Sequence, residues 1–424
     1  MRGRKTGAAA AIAMFAALNM GGVHAESLKA AIRHALRTHP EISALRHNRR
    51  AIRQELKAAK GLWMPKVDVV AKAGGYTSKD TTQERFEVST VLTQPLFDGG
   101  RGSHEQKRQR ARVASARARI DDTATAIALR VIQAYSETLR ANATLAAARR
   151  NLRALRGIAW MVRRRANAGS GDAAETAQAS ARVAAARAAL AEARQKVRDA
   201  RALYLTTVGH APRKLSSVAV PARRMPRTLR EAIRIAMSHA PKLTALKHDT
   251  EAARAAIGTA ESALMPKFDL EVSGNYANRL KHTSAEVLNG KALVVMKWNL
   301  YNGGINAARV SEAKARASEA RSQAFASALR VERELRFAWD AMTAARARVR
   351  DLRGQLAANR RSLAVQKRQF TLGKRTLLDI LDTQNEIFMS EMALDNAIFS
   401  GRYNAWKVMA ITGRLLPALR LAAR

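Results

Sequence analysis

The chain contains no cysteine. Disulfide staples are therefore excluded, and so is an acylated cysteine at the start of a mature chain. Any attachment to a membrane has to come from the fold. Long apolar runs are missing as well. After the first 25 residues no stretch approaches the ~18 continuous apolar residues of a membrane-spanning helix, so a chain that entered a bilayer would have to do so as a closed β-barrel. Acidic residues are scarce, 34 against 75 lysines and arginines, for a net charge of +41. Aromatic residues make up only 5% of the chain, and none interleaves the arginines in the manner of a nucleic-acid surface. Zinc-finger, OB and RRM patterns are absent. The arginines are spread through alanine-rich helical segments and read as solvated helix faces, with contact to lipid phosphates or acidic cargo as the alternative. The sequence has no HExxH, GxSxG, Walker A or Rossmann fingerprint. Its nine histidines lack metal-ligand spacing. No enzyme, cofactor or metal is expected, and no nucleic-acid partner.

The first 25 residues read as a secretory signal peptide. Arg2, Arg4 and Lys5 give a positive start, Ala8 to Leu18 an apolar run too short to span, and Val23-His24-Ala25 a small-residue cleavage site before Glu26. A disordered basic start is the competing reading. Removing its three basic residues leaves +38 (41 − 3).

The remainder is one unit repeated twice. Leu28-Lys-Ala-Ala-Ile32 matches Leu229-Arg-Glu-Ala-Ile233, Ala44-Leu45-Arg46-His47 matches Ala245-Leu246-Lys247-His248, and Met64-Pro65-Lys66 matches Met265-Pro266-Lys267, all 201 residues apart. Leu96-Phe97-Asp98-Gly99-Gly100 matches Leu300-Tyr301-Asn302-Gly303-Gly304 at an offset of 204. A loop insertion between the blocks accounts for the change. The period is too long for a solenoid of short repeats. We divide the mature chain into a first repeat (26–211), a linker rich in Pro, Ser and Arg (212–226), a second repeat (227–414) and a tail (415–424).

Each repeat predicts a short helix, a medium helix, two strands, a very long helix and a medium helix. Strands are expected near 66–78 and 84–97, and near 267–280 and 286–300. In the first, Val67, Val69, Ala71 and Ala73 oppose Asp68 and Lys72; in the second, Phe86, Val88, Thr90 and Leu92 oppose Arg85, Glu87 and Ser89. Phe268, Leu270, Val272 and Tyr276 oppose Asp269, Glu271, Ser273 and Asn275; Ala292, Val294, Met296, Trp298 and Leu300 oppose Lys291, Lys297 and Asn299. Two-faced strands of this length suit a membrane barrel or a soluble antiparallel sheet. Four strands cannot close a barrel, for which about eight is the usual minimum, so a membrane barrel would need several chains. Trp63, Phe97, Trp298 and Tyr301, at the strand ends, fit either an interfacial girdle or ordinary packing.

Between Gly100 and Gly169, and again between Gly304 and Gly373, there is no proline. Helices of ~65 residues there would reach roughly 100 Å and must pack as coiled coils. The series Val331, Leu335, Ala338, Met342, Ala345, Val349, Leu352, Leu356, Asn359, Leu363, Gln366 and Phe370 alternates steps of four and three. Its counterparts 204 residues earlier run from Ile127 to Ala166. That period implies left-handed supercoiling.

These features together resemble the TolC family of bacterial outer-membrane ducts. The residues carrying the likeness are the two Met-Pro-Lys junctions, Gln94-Pro95-Leu96-Phe97-Asp98-Gly99-Gly100, Trp298 to Gly304, and Phe370-Thr-Leu-Gly373-Lys374-Arg375-Thr376-Leu377-Leu378-Asp379-Ile380-Leu381-Asp382. The resemblance covers essentially the whole mature chain. It implies a mixed α/β membrane protein: a homotrimer with a 12-stranded β-barrel in outer-membrane lipid, four strands per chain, continuous with a long α-helical coiled-coil barrel through the periplasm. It further implies a periplasmic adaptor (membrane fusion) protein and an inner-membrane ABC transporter or RND pump as partners. The segment Thr376 to Phe388 looks closest to ducts of type I protein secretion, with a drug-efflux duct as the near alternative. A soluble periplasmic adaptor is the alternative of another class, and the strands and the duplication argue against it.

The same resemblance implies a gate. Asp379 and Asp382, three apart on one helix face, match aspartates lining the family's constriction and would stack as acidic rings selecting cations. Residue spacing alone also allows plain helix N-terminal carboxylates. Arg375 matches a gate arginine that tethers helices in the closed state. Glu175 stands where the family has an aspartate partner for it. Phe370 stands in place of a hydrogen-bonding tyrosine and cannot make that bond, so packing is expected there instead.

Overall fold

A computed structural model describes residues 25–78, 81–169, 171–217, 219–279 and 287–421. The expected signal peptide lies outside the described residues, apart from Ala25. The chain divides into two compact units. One takes residues up to His39, Thr123–Ala236 and Glu332 onward; the other takes Pro40–Asp122 and Met237–Val331.

The order of elements is the same in both halves. Helix α1 (Leu28–Thr38) is followed by α2 (Pro40–Lys60), strands β1 (Lys66–Ser78) and β2 (Thr81–Phe97), the 67-residue helix α3 (Arg101–Asn167) and α4 (Ala173–Val208). Then come α5 (Leu229–His239), α6 (Pro241–Glu261), β3 (Lys267–Arg279), β4 (Val287–Lys297), the 67-residue α7 (Ile305–Thr371), α8 (Leu377–Ile411) and the short α9 (Leu415–Ala418). Among the described residues no helix is long and apolar enough to cross a membrane.

Local chemistry sets the boundaries. Pro40 and Pro241 sit at the first positions of α2 and α6, where a missing N–H costs nothing. Pro65 and Pro266 follow short 3₁₀ turns and force the chain into extended backbone. Where β2 passes into α3, Gly99 and Gly100 have φ of 68° and 84°; Gly303 and Gly304 repeat this at 67° and 81° before α7. Side chains with a Cβ rarely adopt that conformation. The Asp98 carboxylate then accepts from the N–H of Gly100 (3.0 Å) and of Gly102 (2.6 Å), capping α3.

The strands form one antiparallel sheet in the order β1-β2-β3-β4. Its register shows why the alternation matters. Val67 stands opposite Leu92 and Ala71 opposite Val88; Leu92 stands opposite Val272 and Val88 opposite Tyr276; Leu270 stands opposite Val294 and Phe268 opposite Met296. Directly paired residues share a face, so the apolar sets of all four strands fall on one side. The opposite side carries Asp68, Lys72, Glu87, Ser89, Glu271, Asn275 and Lys297, with Val70, Val91 and Leu293 among them. Lys297 bonds Glu271 there at 3.0 Å. Within a single chain the apolar side is open: Val69 is 65% and Val294 64% exposed. The outer edges of β1 and β4 have no partner strand among the described residues.

β4 ends at Lys297, three residues before Leu300. Trp298 leaves the ladder, and its indole N–H donates to the Leu264 carbonyl at 3.1 Å. Trp63 packs against Gly102, where any side chain would strike the indole. Trp298 and Tyr301, by contrast, are 52% and 86% exposed.

Burial along the long helices follows the heptad. Leu335, Ala338, Met342, Ala345, Leu356, Leu363 and Phe370 are buried on α7, with Val349, Leu352, Asn359 and Gln366 half-buried. On α3 the buried set includes Ile127, Val131, Ala134, Ala141, Leu152, Leu155 and Val162.

Replacing Val272, near the middle of β3, by Arg should cost about 2 to 4 kcal/mol if that face meets lipid. Ser89→Arg on the opposite face, beside Glu87, should be tolerated. Comparing the urea-resistant, membrane-integrated fraction of the two variants checks this; equal losses would mean that the faces are not distinguished.

Candidate functional site

The residues singled out at 175 and 370–382 sit at the turns of two helical hairpins. The α3–α4 turn uses Gly169 and the α7–α8 turn uses Gly373, each with a φ of 72°. At the second turn Lys374 N–H donates to Gln369 O (2.9 Å) and Gly373 N–H to Phe370 O (3.0 Å), closing the end of α7. Asp172 caps α4 by accepting from Ala174 N–H at 3.1 Å. Thr376 caps α8 in a reciprocal box: its hydroxyl accepts from Asp379 N–H (3.3 Å), while the Asp379 carboxylate accepts from Thr376 N–H (3.3 Å) and hydroxyl (2.9 Å).

This cap decides what Asp379 does within the chain. Its hydrogen bonds from Thr376, and secondarily the charge of Arg375, hold the carboxyl below the usual carboxylate range. Arg375 lies 3.6 Å from Asp379 and donates to Gln369 at 3.2 Å. Glu175, half-buried in the first turn of α4, makes no ion pair with Arg375 among the described residues. The cross-repeat pair expected between them is therefore not formed within one chain. A partner four residues away on the same turn needs less ordering of a long side chain than one on another helix.

Other residues tie the repeats together. Asp382 pairs with Arg182 of α4 at 3.3 Å. Phe370 is fully buried. The Arg165 guanidinium lies 4.6 Å from its ring centre and donates to its carbonyl at 3.3 Å. The ring thus has a packed, cation-covered place that needs no hydroxyl. Around it Leu152, Leu155, Ile158, Val162, Ala179, Ala186, Leu356, Leu363, Leu377, Ile380, Leu381 and Ile387 form one apolar cluster from α3, α4, α7 and α8.

Further along, buried Gln384 donates to Asn151 at 2.9 Å. Glu391, with a side chain 10% exposed, accepts from Arg150 (2.9 Å) and Arg360 (2.6 Å). One carboxylate thereby joins α3, α7 and α8. Asp395 lies nearby, and burial pushes its carboxyl up against the opposing pull of Arg150. Sequence reasoning missed Arg165, Arg182 and Glu391. Arg165 had a signal: it adjoins Ala166, the counterpart of Phe370 at the 204-residue offset. Arg182 is one heptad beyond Glu175, hence on the same face. Glu391 left no trace in spacing.

The arrangement is mechanical. Among the described residues no group of three or more His, Asp or Glu could hold a metal. What the residues can do is hold helices of the two repeats together or release them.

Known proteins share the sequence family and the fold. A family model described as outer membrane efflux protein matches residues 31–207 and 232–403. The chain is 26% identical over 392 residues to the outer membrane efflux protein BepC of Brucella suis biovar 1 (strain 1330), covering 92% of this chain and 86% of that one. The crystal structure of the outer membrane protein VceC from Vibrio cholerae superposes with a TM-score of 0.78 at 17% identity, covering 94% of this chain and 97% of VceC. Structures of CusC give 0.82 at 16% identity over 91% of each chain.

Glu391→Gln removes one charge and leaves two arginines facing a neutral amide. Because Arg150 and Arg360 are about half exposed, the loss should be ~1 to 3 kcal/mol, below the 3 to 5 of a fully buried pair. Chemical denaturation of the purified protein measures it. No change in midpoint would show that the three-helix junction carries no stability.

Proposed function

Because the chain belongs to the outer membrane efflux protein family, we propose that it is a gated export duct whose constriction lies at the hairpin turns carrying Asp379 and Asp382. It is an outer-membrane channel of TolC-like fold, a conduit and not an enzyme. The observation that carries the gate is the tie between repeats at one end of the helical hairpins: Arg182 on Asp382, and Arg165 over buried Phe370. Each solvated pair is worth only about 0 to 1 kcal/mol. Three copies acting together would bias a two-state gate by a few kcal/mol.

Strand number calls for several chains, and the likeness to the TolC family makes the number three. Four strands with two bare edges leave a barrel open, and three chains of four give twelve. The apolar face of the sheet then meets outer-membrane lipid and the polar face lines the pore. A periplasmic adaptor and an inner-membrane ABC transporter or RND pump supply energy and cargo choice. For the cargo we favour protein export by type I secretion, on the likeness of Thr376 to Phe388 to ducts of that kind. Small-molecule efflux is the second reading, supported by what the family and the relative BepC are called.

Deleting the gene should remove a protein from the culture medium with little change in drug susceptibility. The opposite pattern, sensitised cells with an unaltered secretome, would favour efflux. In planar bilayers Arg182→Ser should raise open probability severalfold without loss of the trimer. Asp379→Asn with Asp382→Asn should weaken cation selectivity. Because Asp379 titrates below the usual carboxylate range, its charge should persist as pH falls to that range and be lost only beneath it. Wild-type anion selectivity left unchanged in the double variant would place the constriction elsewhere.

A further inference from the structure

A groove away from the hairpin turns has a distinct chemistry. It is formed between α7 and α8 and bordered on one side by the linker, and it is an open groove of about 430 Å³. Its floor is apolar: Ala345, Ala397 and Ala405 are buried, and Val349 and Ile398 half-buried. Gly401 lets the two helices approach, since a Cβ there would stand 3.1 Å from that of Ala345. Arg346 and Arg353 rise from α7 and Arg402 from α8.

Among the described residues no carboxylate lines the groove. Four other arginines of α7 have acidic partners, Arg316 with Glu319, Arg336 with Glu332, Arg350 with Asp351 and Arg360 with Glu391. Arg346, Arg353 and Arg402 have none among the described residues. What sets the groove apart is that its arginines gather around an apolar floor. Arg346 and Arg353 are one heptad apart, so they lie on one side of α7, roughly 10 Å from each other along its axis. Three unneutralised guanidinium groups around an apolar floor raise the local potential and select a negative group over water. The volume is that of small-molecule sites, which are mostly apolar with a few placed polar groups.

We propose that this groove binds an amphipathic organic anion, its apolar body on Val349 and Ile398 and its acidic head among the three arginines. A site of this kind would exist whether the duct carries proteins or small molecules.

The test uses the full-length protein in a non-ionic detergent, with naphthalene-2-sulfonate as probe and naphthalene-2-methanol as its uncharged counterpart, both followed by titration calorimetry. The expected result is saturable sulfonate binding, one per chain, that weakens with salt. Arg346→Gln with Arg353→Gln and Arg402→Gln should weaken it by more than roughly tenfold, as expected for lost charged hydrogen bonds. Val349→Trp, which fills the floor and keeps every charge, should weaken it as well. Equal binding of the uncharged compound, unchanged affinity in both variants, or no saturable binding to the wild type would each overturn the proposal.

Discussion

The structure depends on helices of two repeats lying against each other through a seam of small and aliphatic side chains. Ala179, Ala186, Ile158 and Val162 of the first repeat meet Leu356, Leu363, Ile380 and Leu381 of the second in one cluster, with Phe370 wholly inside it. Small alanines set among larger aliphatic side chains permit close approach of the helices. The seam holds only while both hairpins keep their register. Each polar contact across it works as a register mark: Gln384 on Asn151, Glu391 on Arg150, Arg140 on Asn396.

The shortage of acid gives those marks their weight. With 34 acidic residues against 75 basic ones, most arginines face solvent, and several of the placed carboxylates stand at joints. Asp98 caps α3, Asp249 holds Ser115 and Arg119, Glu391 joins three helices, and Asp382 ties α8 to α4. The surplus of basic residues leaves the α7–α8 groove with arginines that have no carboxylate to meet.

Much of the fold was legible because it is local. Prolines at 65 and 266 and paired glycines at 99–100 and 303–304 punctuate backbone conformation directly. Alternation in four strands anticipated a sheet with one apolar face, and the register places those residues opposite one another. The site was legible only in part. That Phe370 would pack rather than hydrogen-bond followed from its chemistry, and Asp379 at a helix start followed from its position. Which arginine meets which carboxylate did not follow, because it depends on the stagger between helices some two hundred residues apart. Within the chain Arg375 consequently lies on Asp379 and not on Glu175, while at the hairpin turns Arg182 and Arg165 contact the second repeat.

The central claim is that separation of α4 from α8 at the hairpin turns opens the duct. The absence of native cysteine makes this directly measurable. Arg182→Cys with Asp382→Cys removes the ion pair and offers a unique site for a short bis-maleimide bridge between the two helices. Single-channel recording before and after bridging is the decisive comparison. The account predicts that the unbridged variant conducts more readily than wild type and that bridging returns it to low conductance. Conductance unaffected by the bridge would contradict it, because the duct would then open without these helices parting.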